Sequence, residues 1–256
     1  MGKLKLLFFL WGMFYSLLGI TASEISLKNW IGEDSSGKFK MTKVDDCLDI
    51  VSPDGLTLWY DECLTGNYEI SYRIKVVMEG GKYDRLSDMN CFWGAKDLKY
   101  PDNIYARKDW RAGIFKNYNT LNLFYVGYGG NENKTTRFRE YHSEFYGIDE
   151  NKIKPLVKEY TDEAHLLKPN RWYEVVITVT DGKTTFAVDG EELFCHPISR
   201  GQGDGYFAIR FWKNHVQVSD FVVRKAESQF AYSNYRRYYQ EARVMRGVRK
   251  KMQSRN

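Results

Sequence analysis

Proline is scarce in this sequence, 5 in 256 residues, so long stretches can ladder without a missing backbone N–H. Cysteine is sparse too: Cys47, Cys63, Cys91 and Cys195 stand far apart with no C-x-x-C pair. No spacing of His, Cys and Asp resembles a zinc site, and neither a P-loop nor an EF-hand pattern occurs. Four cysteines permit three pairings, among which the sequence does not choose. Cys91 and Cys195 lie in apolar runs where free buried thiols are expected.

Only one long apolar run exists, at residues 6–20, behind Lys3 and Lys5 and ahead of the small residues Ala22 and Ser23. That arrangement reads as a secretory signal peptide over 1–23, with the mature chain starting near Glu24 and an uncleaved anchor as the alternative. No cysteine marks a lipoprotein cleavage point. The expected location is outside the cytoplasm: periplasm, cell surface or extracellular space.

Net positive charge is missing from the body of the protein. The formal net charge is +5, but residues 224–256 carry ten Lys/Arg against two Asp/Glu, roughly +8. A mildly acidic body disfavours nucleic acid as a partner, since such a reading would rest on the tail alone. In that tail Tyr235, Tyr238 or Tyr239, Ala242 and Met245 recur at helical spacing, which predicts a short amphipathic C-terminal helix over part of 226–256. Any contact with a membrane surface would run through this basic segment.

Aromatic residues, by contrast, are plentiful at 16%, and between residues 24 and 225 they sit in short alternating runs separated by Gly, Asn and Asp. The pattern predicts an all-β, antiparallel domain. "CLDIVS" and "GLTLWY" flank the turn signal "PDG" and read as two strands. "WYEVVITV" and "TTFAV" flank "TDGK", a tight hairpin, and Asp189-Gly190 marks the next turn. "GYFAIRFW" and "VQVSDFVV" read as two closing strands. Such spacing argues for a β-sandwich or jelly roll.

The order of "RWY", the long hairpin, "VDGEELF", "GYFAIRF" and "VSDFVV" resembles the second half of a concanavalin A-like lectin/glucanase jelly roll. The block from "DMNCFWGAKDLKYPDN" to "YTDEAHLLKPNRWY" resembles an uncharacterised family of secreted Bacteroidetes proteins, more distantly similar to the YesU-like proteins of pectin-degradation clusters. The resemblance implies a concanavalin A-like sandwich whose concave face holds saccharide. Structural calcium on loop oxygens is a further implication, with Asp61, Asn67 or Asp220 as conceivable ligands; no other cofactor is expected.

Parity supplies the candidate site residues. In "TLNLFYVGYGG", Leu121, Leu123 and Tyr125 read as the inward row, opposite Asn122, Phe124, Val126 and Tyr128. Thr135, Arg137, Arg139 and Tyr141 share one face of the next strand, and Ala208, Arg210 and Trp212 oppose Phe207, Ile209 and Phe211. Arginine matches a carboxylate bidentately and aromatic rings stack on sugar rings, so these rows point to an acidic polysaccharide or oligosaccharide. Asn90, Trp93, Asn122, Arg210 and Trp212 are the candidates for binding it. For a lyase, Arg137 and Arg139 would neutralise the uronate carboxylate, and Tyr128, Tyr141 or His142 would move protons. "RFREY" resembles the Arg-bearing strand of jelly-roll alginate lyases, whose other motifs are missing.

Two absences shape the reading further. No strand carries the Glu-x-Asp-x-x-Glu or Glu-x-Asp-x-Glu pattern that retaining glucanases of this fold use, and the acids of "VDGEEL" fall at a hairpin turn. His165, His196 and His215 read as structural. The leading expectation is a carbohydrate-active protein with lyase-like or hydrolase-like chemistry. The alternatives are a noncatalytic lectin-like binder and an envelope structural protein whose tail meets a partner.

Overall fold

The computed structural model describes residues 27–225; the signal-peptide and C-terminal-helix expectations fall outside them. Twelve strands form the domain, all paired antiparallel. They are β1 (Trp30–Asp34), β2 (Lys40–Val44), β3 (Cys47–Tyr60), β4 (Tyr68–Val76), β5 (Met89–Lys96) and β6 (Asn122–Gly129), then β7 (Thr135–Tyr141), β8 (Leu156–Tyr160), β9 (Trp172–Thr180), β10 (Lys183–Val188), β11 (Glu191–Pro197) and β12 (Tyr206–Lys225).

Two long strands run through both layers. The first half of β12 pairs with β5 and its second half with β4, while β3 lies along its other side. The front layer is therefore β1-β3-β12-β5-β6-β7-β8, and the back layer β2-β3-β12-β4-β9-β10-β11. This is a concanavalin A-like β-sandwich.

Aromatic rings fill the space between the layers. Trp93 of β5 stacks on Phe138 of β7 at 5.7 Å and on Phe186 of β10 at 6.3 Å, and Phe138 meets Phe194 of β11 at 5.5 Å. Each such buried ring contributes roughly 1.5–3 kcal/mol by leaving water. The hairpins at Asp181-Gly182 and Asp189-Gly190 form as the sequence predicts, Thr180 facing Lys183 and Val188 facing Glu191.

Three expectations about the strands change. "PDG" is no turn: β3 continues through it, and the pairing with β12 jumps from Trp212–Gly55 to Asn214–Ser52. Pro53 and Asp54 together oppose Lys213 in a bulge, where the absent proline N–H costs no ladder bond. Likewise "GYFAIRFW" and "VQVSDFVV" are one 20-residue strand, β12.

The inward row of β6 is also reversed. Phe124, Val126 and Tyr128 face the other layer, whereas Leu123 and Tyr125 lie on the outer face of the front layer. Both rows are buried because the β5–β6 connection folds back over that outer face. Its Ile104, Tyr118 and Leu121 pack on Trp59, Phe92, Leu123, Tyr125, Tyr141 and Ala208 as a second hydrophobic cluster.

A buried charge network pins this connection. The Arg111 guanidinium meets Glu33 of β1 at 2.5 Å, Tyr118 donates its hydroxyl to Glu33 at 2.6 Å, and Arg107 meets Asp97 at 2.6 Å. All four cysteines are free thiols. Cys91 is buried and its thiol is pushed up to about 12 by burial, while Cys195, expected inside, is exposed because it alternates outward between Phe194 and His196 on β11.

Candidate functional site

Strand register builds the site. Thr57 of β3 faces Arg210 of β12, Arg210 faces Asn90 of β5, Asn90 faces Gly127 of β6, and Gly127 faces Arg137 of β7. These five residues make one row across the outer face of the front layer. The β5–β6 connection covers most of that face but leaves a cleft of about 360 Å³ between it and the row.

Arg210, Asn90 and Tyr125 form the base of the cleft, Asp54, Asp88 and Phe115 its walls, and Ser35, Ile114 and Trp212 its exposed rim. Arg210 is 4% exposed. Its Nη1 donates to Thr57 Oγ1 at 2.8 Å and to the Gly113 carbonyl at 3.0 Å, and its guanidinium lies 4.8 Å from the Phe115 ring centre and 5.0 Å from that of Tyr118. No carboxylate pairs with it among the described residues. Asn90, 5% exposed, donates to Asp88 at 3.3 Å, and its Oδ1 is buried without a hydrogen-bond partner.

The walls are tied down. Asp88 meets Arg85 at 2.5 Å, and the Arg85 guanidinium lies 4.6 Å over the Trp212 ring. Trp212, 41% exposed, donates its indole N–H to Asp54 at 2.8 Å. The strand and the covering connection meet at Gly55 and Gly113: a Cβ on either would come within 2.3 Å of the other's carbonyl oxygen. Glycine is required at both, and at Gly113 also by its φ of +71°.

Burial sets the protonation of the cleft's phenol. It holds Tyr125 well above the ordinary tyrosine range, so the hydroxyl stays protonated at neutral pH. Tyr141, behind it, is raised by burial as well, and its hydroxyl has no partner.

The structure brings together Asn90, Arg210 and Trp212 of the sequence candidates and separates the rest. Arg137 and Arg139 share the outer face but stand on β7, one strand in from the far edge of the sheet. Arg137 is paired with Glu159, its register neighbour on β8, and Arg139 donates to the Lys154 carbonyl at 2.7 Å. Tyr141 is buried under the connection. Tyr128 points into the sandwich, against Tyr173, and borders a smaller cleft of about 100 Å³ with His165 and Arg171.

Trp93 is another correction, because its even–odd position on β5 turns it inward and its indole N–H goes to Thr184 at 2.9 Å. Asn122 accepts from the Ser143 backbone and hydroxyl, holding the turn after β7. His142 lies 3.9 Å from Glu140 and 3.6 Å from Glu144, off the outer-face row. The other histidines serve as braces: His165 between Asp162 and Glu191, His196 on Glu140, and His215 between Asp49 and Asp84.

Sequence reasoning missed Tyr125, Asp88, Asp54 and Phe115. For Asp54 the misread turn hid the signal, and for Tyr125 the reversed parity did. Among the described residues no group of three or more His, Cys, Asp and Glu side chains could hold a metal ion.

Comparison with known proteins speaks to the fold. A Bacillus subtilis protein of unknown function with a galectin-like fold superposes at a TM-score of 0.58 with 14% identity, over 77% of this chain and 90% of that one. The carbohydrate-binding module CBM66 of Bacillus subtilis gives 0.48 at 10% identity over 77% and 96%, and an endo-β-1,3-glucanase of Pyrococcus furiosus gives 0.48 at 12% over 78% and 89%. No curated protein matches the sequence. Residues 50–221 match the model of the family described as a domain of unknown function, DUF6250, and the chain belongs to that family.

Proposed function

We propose that this domain is an exported carbohydrate-binding protein whose front-layer cleft takes an acidic saccharide, with the sugar carboxylate on Arg210. One observation carries the reading: a guanidinium 4% exposed, with no carboxylate partner among the described residues, forms the base of a cleft. A buried unpaired charge costs several kcal/mol, and a uronate would offset that cost with a charge-assisted hydrogen bond. The unsatisfied Asn90 Oδ1 suits a sugar hydroxyl. The resemblance to YesU-like proteins of pectin-degradation clusters supports a uronate in particular.

A lyase is the second reading, favoured by the Tyr125 hydroxyl beside Arg210. In such an elimination the C5 proton leaves to a base, the C4–O bond breaks, C4=C5 forms, and an acid protonates the departing oxygen. Tyr125, kept protonated by burial, supplies the acid. A base is harder to find, since Asp88 is held by Arg85 and Asp54 by Trp212. Binding is thus the better supported function.

Calorimetric titration with oligogalacturonides and with neutral galacto-oligosaccharides of equal length tests it. Heat from the acidic series alone supports the reading, and equal response or none refutes it. A growing ultraviolet absorbance from a new C=C in the same mixtures would establish the lyase.

A further inference from the structure

The shape of the cleft says which part of a glycan fits. A saccharide running across this sheet would follow the row Thr57, Arg210, Asn90, Gly127, Arg137, perpendicular to the strands, and that path is shut at both ends. On the β3 side Thr57 is fully buried beneath the contact between Gly55 and Gly113, where backbone touches backbone and no side-chain movement opens a passage. On the β6 side Gly127 is buried and the Tyr125 hydroxyl lies against it: a Cβ there would be 2.4 Å from that oxygen. Along the strands the next row, Trp59, Ala208, Phe92 and Tyr125, lies in the hydrophobic cluster under the β5–β6 connection. The exposed lining residues, Ser35, Ile114 and Trp212, are what remain for an entrance.

Resting on the acidic-saccharide reading above, we infer that the site recognises the end of a uronate chain and excludes its internal residues. The volume agrees. A cleft of about 360 Å³ holds roughly a dozen waters at about 30 Å³ each, enough for one or two pyranose rings and at the lower end of the roughly 300–1,000 Å³ of small-molecule sites. Polarity is graded in the same sense. The guanidinium is at the base, and the carboxylates of Asp54 and Asp88 line the walls, where they accept hydrogen bonds from sugar hydroxyls. The terminal residue enters carboxylate first and the chain leaves past Trp212.

The intact protein is titrated calorimetrically with galacturonate, its dimer, trimer and tetramer, and polygalacturonate fractions of two defined mean lengths. The expected result is an affinity gain of up to about tenfold from monomer to dimer and less than twofold beyond. The expected stoichiometry is one protein per polymer chain, independent of chain length. Affinity that climbs through the tetramer, or a stoichiometry proportional to polymer length, overturns end recognition and leaves the acidic-saccharide reading standing. Absence of heat with every acidic ligand overturns both. In a second measurement, Ile114→Trp narrows the entrance; it is expected to weaken polymer more than monomer by at least threefold, and equal weakening of both counts against a chain leaving by that rim.

Discussion

Arg111 and Arg210 lie under the same β5–β6 connection and are both buried, yet they differ in company. Arg111, fully buried, meets the Glu33 carboxylate at 2.5 Å, donates to the Ile104 carbonyl at 2.6 Å and comes within 3.7 Å of Asp97. Arg210 has a hydroxyl, a carbonyl and two aromatic faces, but no anion among the described residues. The first charge is compensated inside the protein and fastens the covering segment to β1. The second has no such compensation among the described residues, which is what the proposed function rests on. A buried cation is thus informative about function when its counterion is missing, because folding alone gives no reason to keep it.

The sharpest way to break this contrast is to remove each arginine in turn. Arg111→Met strands the Glu33 carboxylate and should cost about 3–5 kcal/mol, read as a fall in the denaturant midpoint and a thermal midpoint lower by roughly 10 °C. A loss under about 1 kcal/mol would show that the network is no anchor. Arg210→Met should leave stability within about 1 kcal/mol, since losing two hydrogen bonds to neutral acceptors is offset by removing a buried charge without a carboxylate partner among the described residues. The same change should weaken acidic-saccharide binding about 10–100-fold, the worth of one charged hydrogen bond or two. If Arg210→Met instead destabilises as much as Arg111→Met, the two residues have the same role and the site assignment fails.

Smaller effects sharpen the picture at the cleft mouth and near the sheet edge. Trp212→Ala removes the surface that carries Arg85 and the N–H that holds Asp54; a loss of about 3–10-fold in affinity is expected, with little change in unfolding. Arg137→Ala serves as the control. Its pair with Glu159 is partly solvated, so stability should change by under about 1 kcal/mol and binding not at all. A binding loss there equal to that of Arg210→Met would extend the site toward the sheet edge.

Much of the scaffold was legible in the sequence. Alternation in "WYEVVITV" and the Asp-Gly pairs fixed two hairpins, because side-chain period and positive-φ turns are local properties. "FAIRFW" placed Arg210 opposite the core row for the same reason. What failed were two judgements that needed a second element. Pro53-Asp54-Gly55 has the composition of a turn, but β12 runs straight past it and absorbs it as a bulge. The parity of β6 is symmetric until the covering segment is known, since both of its rows are apolar and both are buried.

Composition and periodicity by themselves determined an antiparallel β-domain, its hairpins and the grouping of arginines and aromatics on alternate faces, because those follow from bonds between near neighbours in the chain. Only the tertiary structure decided which arginine lacks an anion. Arg137 meets Glu159 on the adjacent strand, 22 residues away, and Arg111 meets Glu33 across 78 residues, whereas Arg210 meets no carboxylate among the described residues. Charge compensation depends on distance in space, which long-range strand pairing sets and local sequence does not encode.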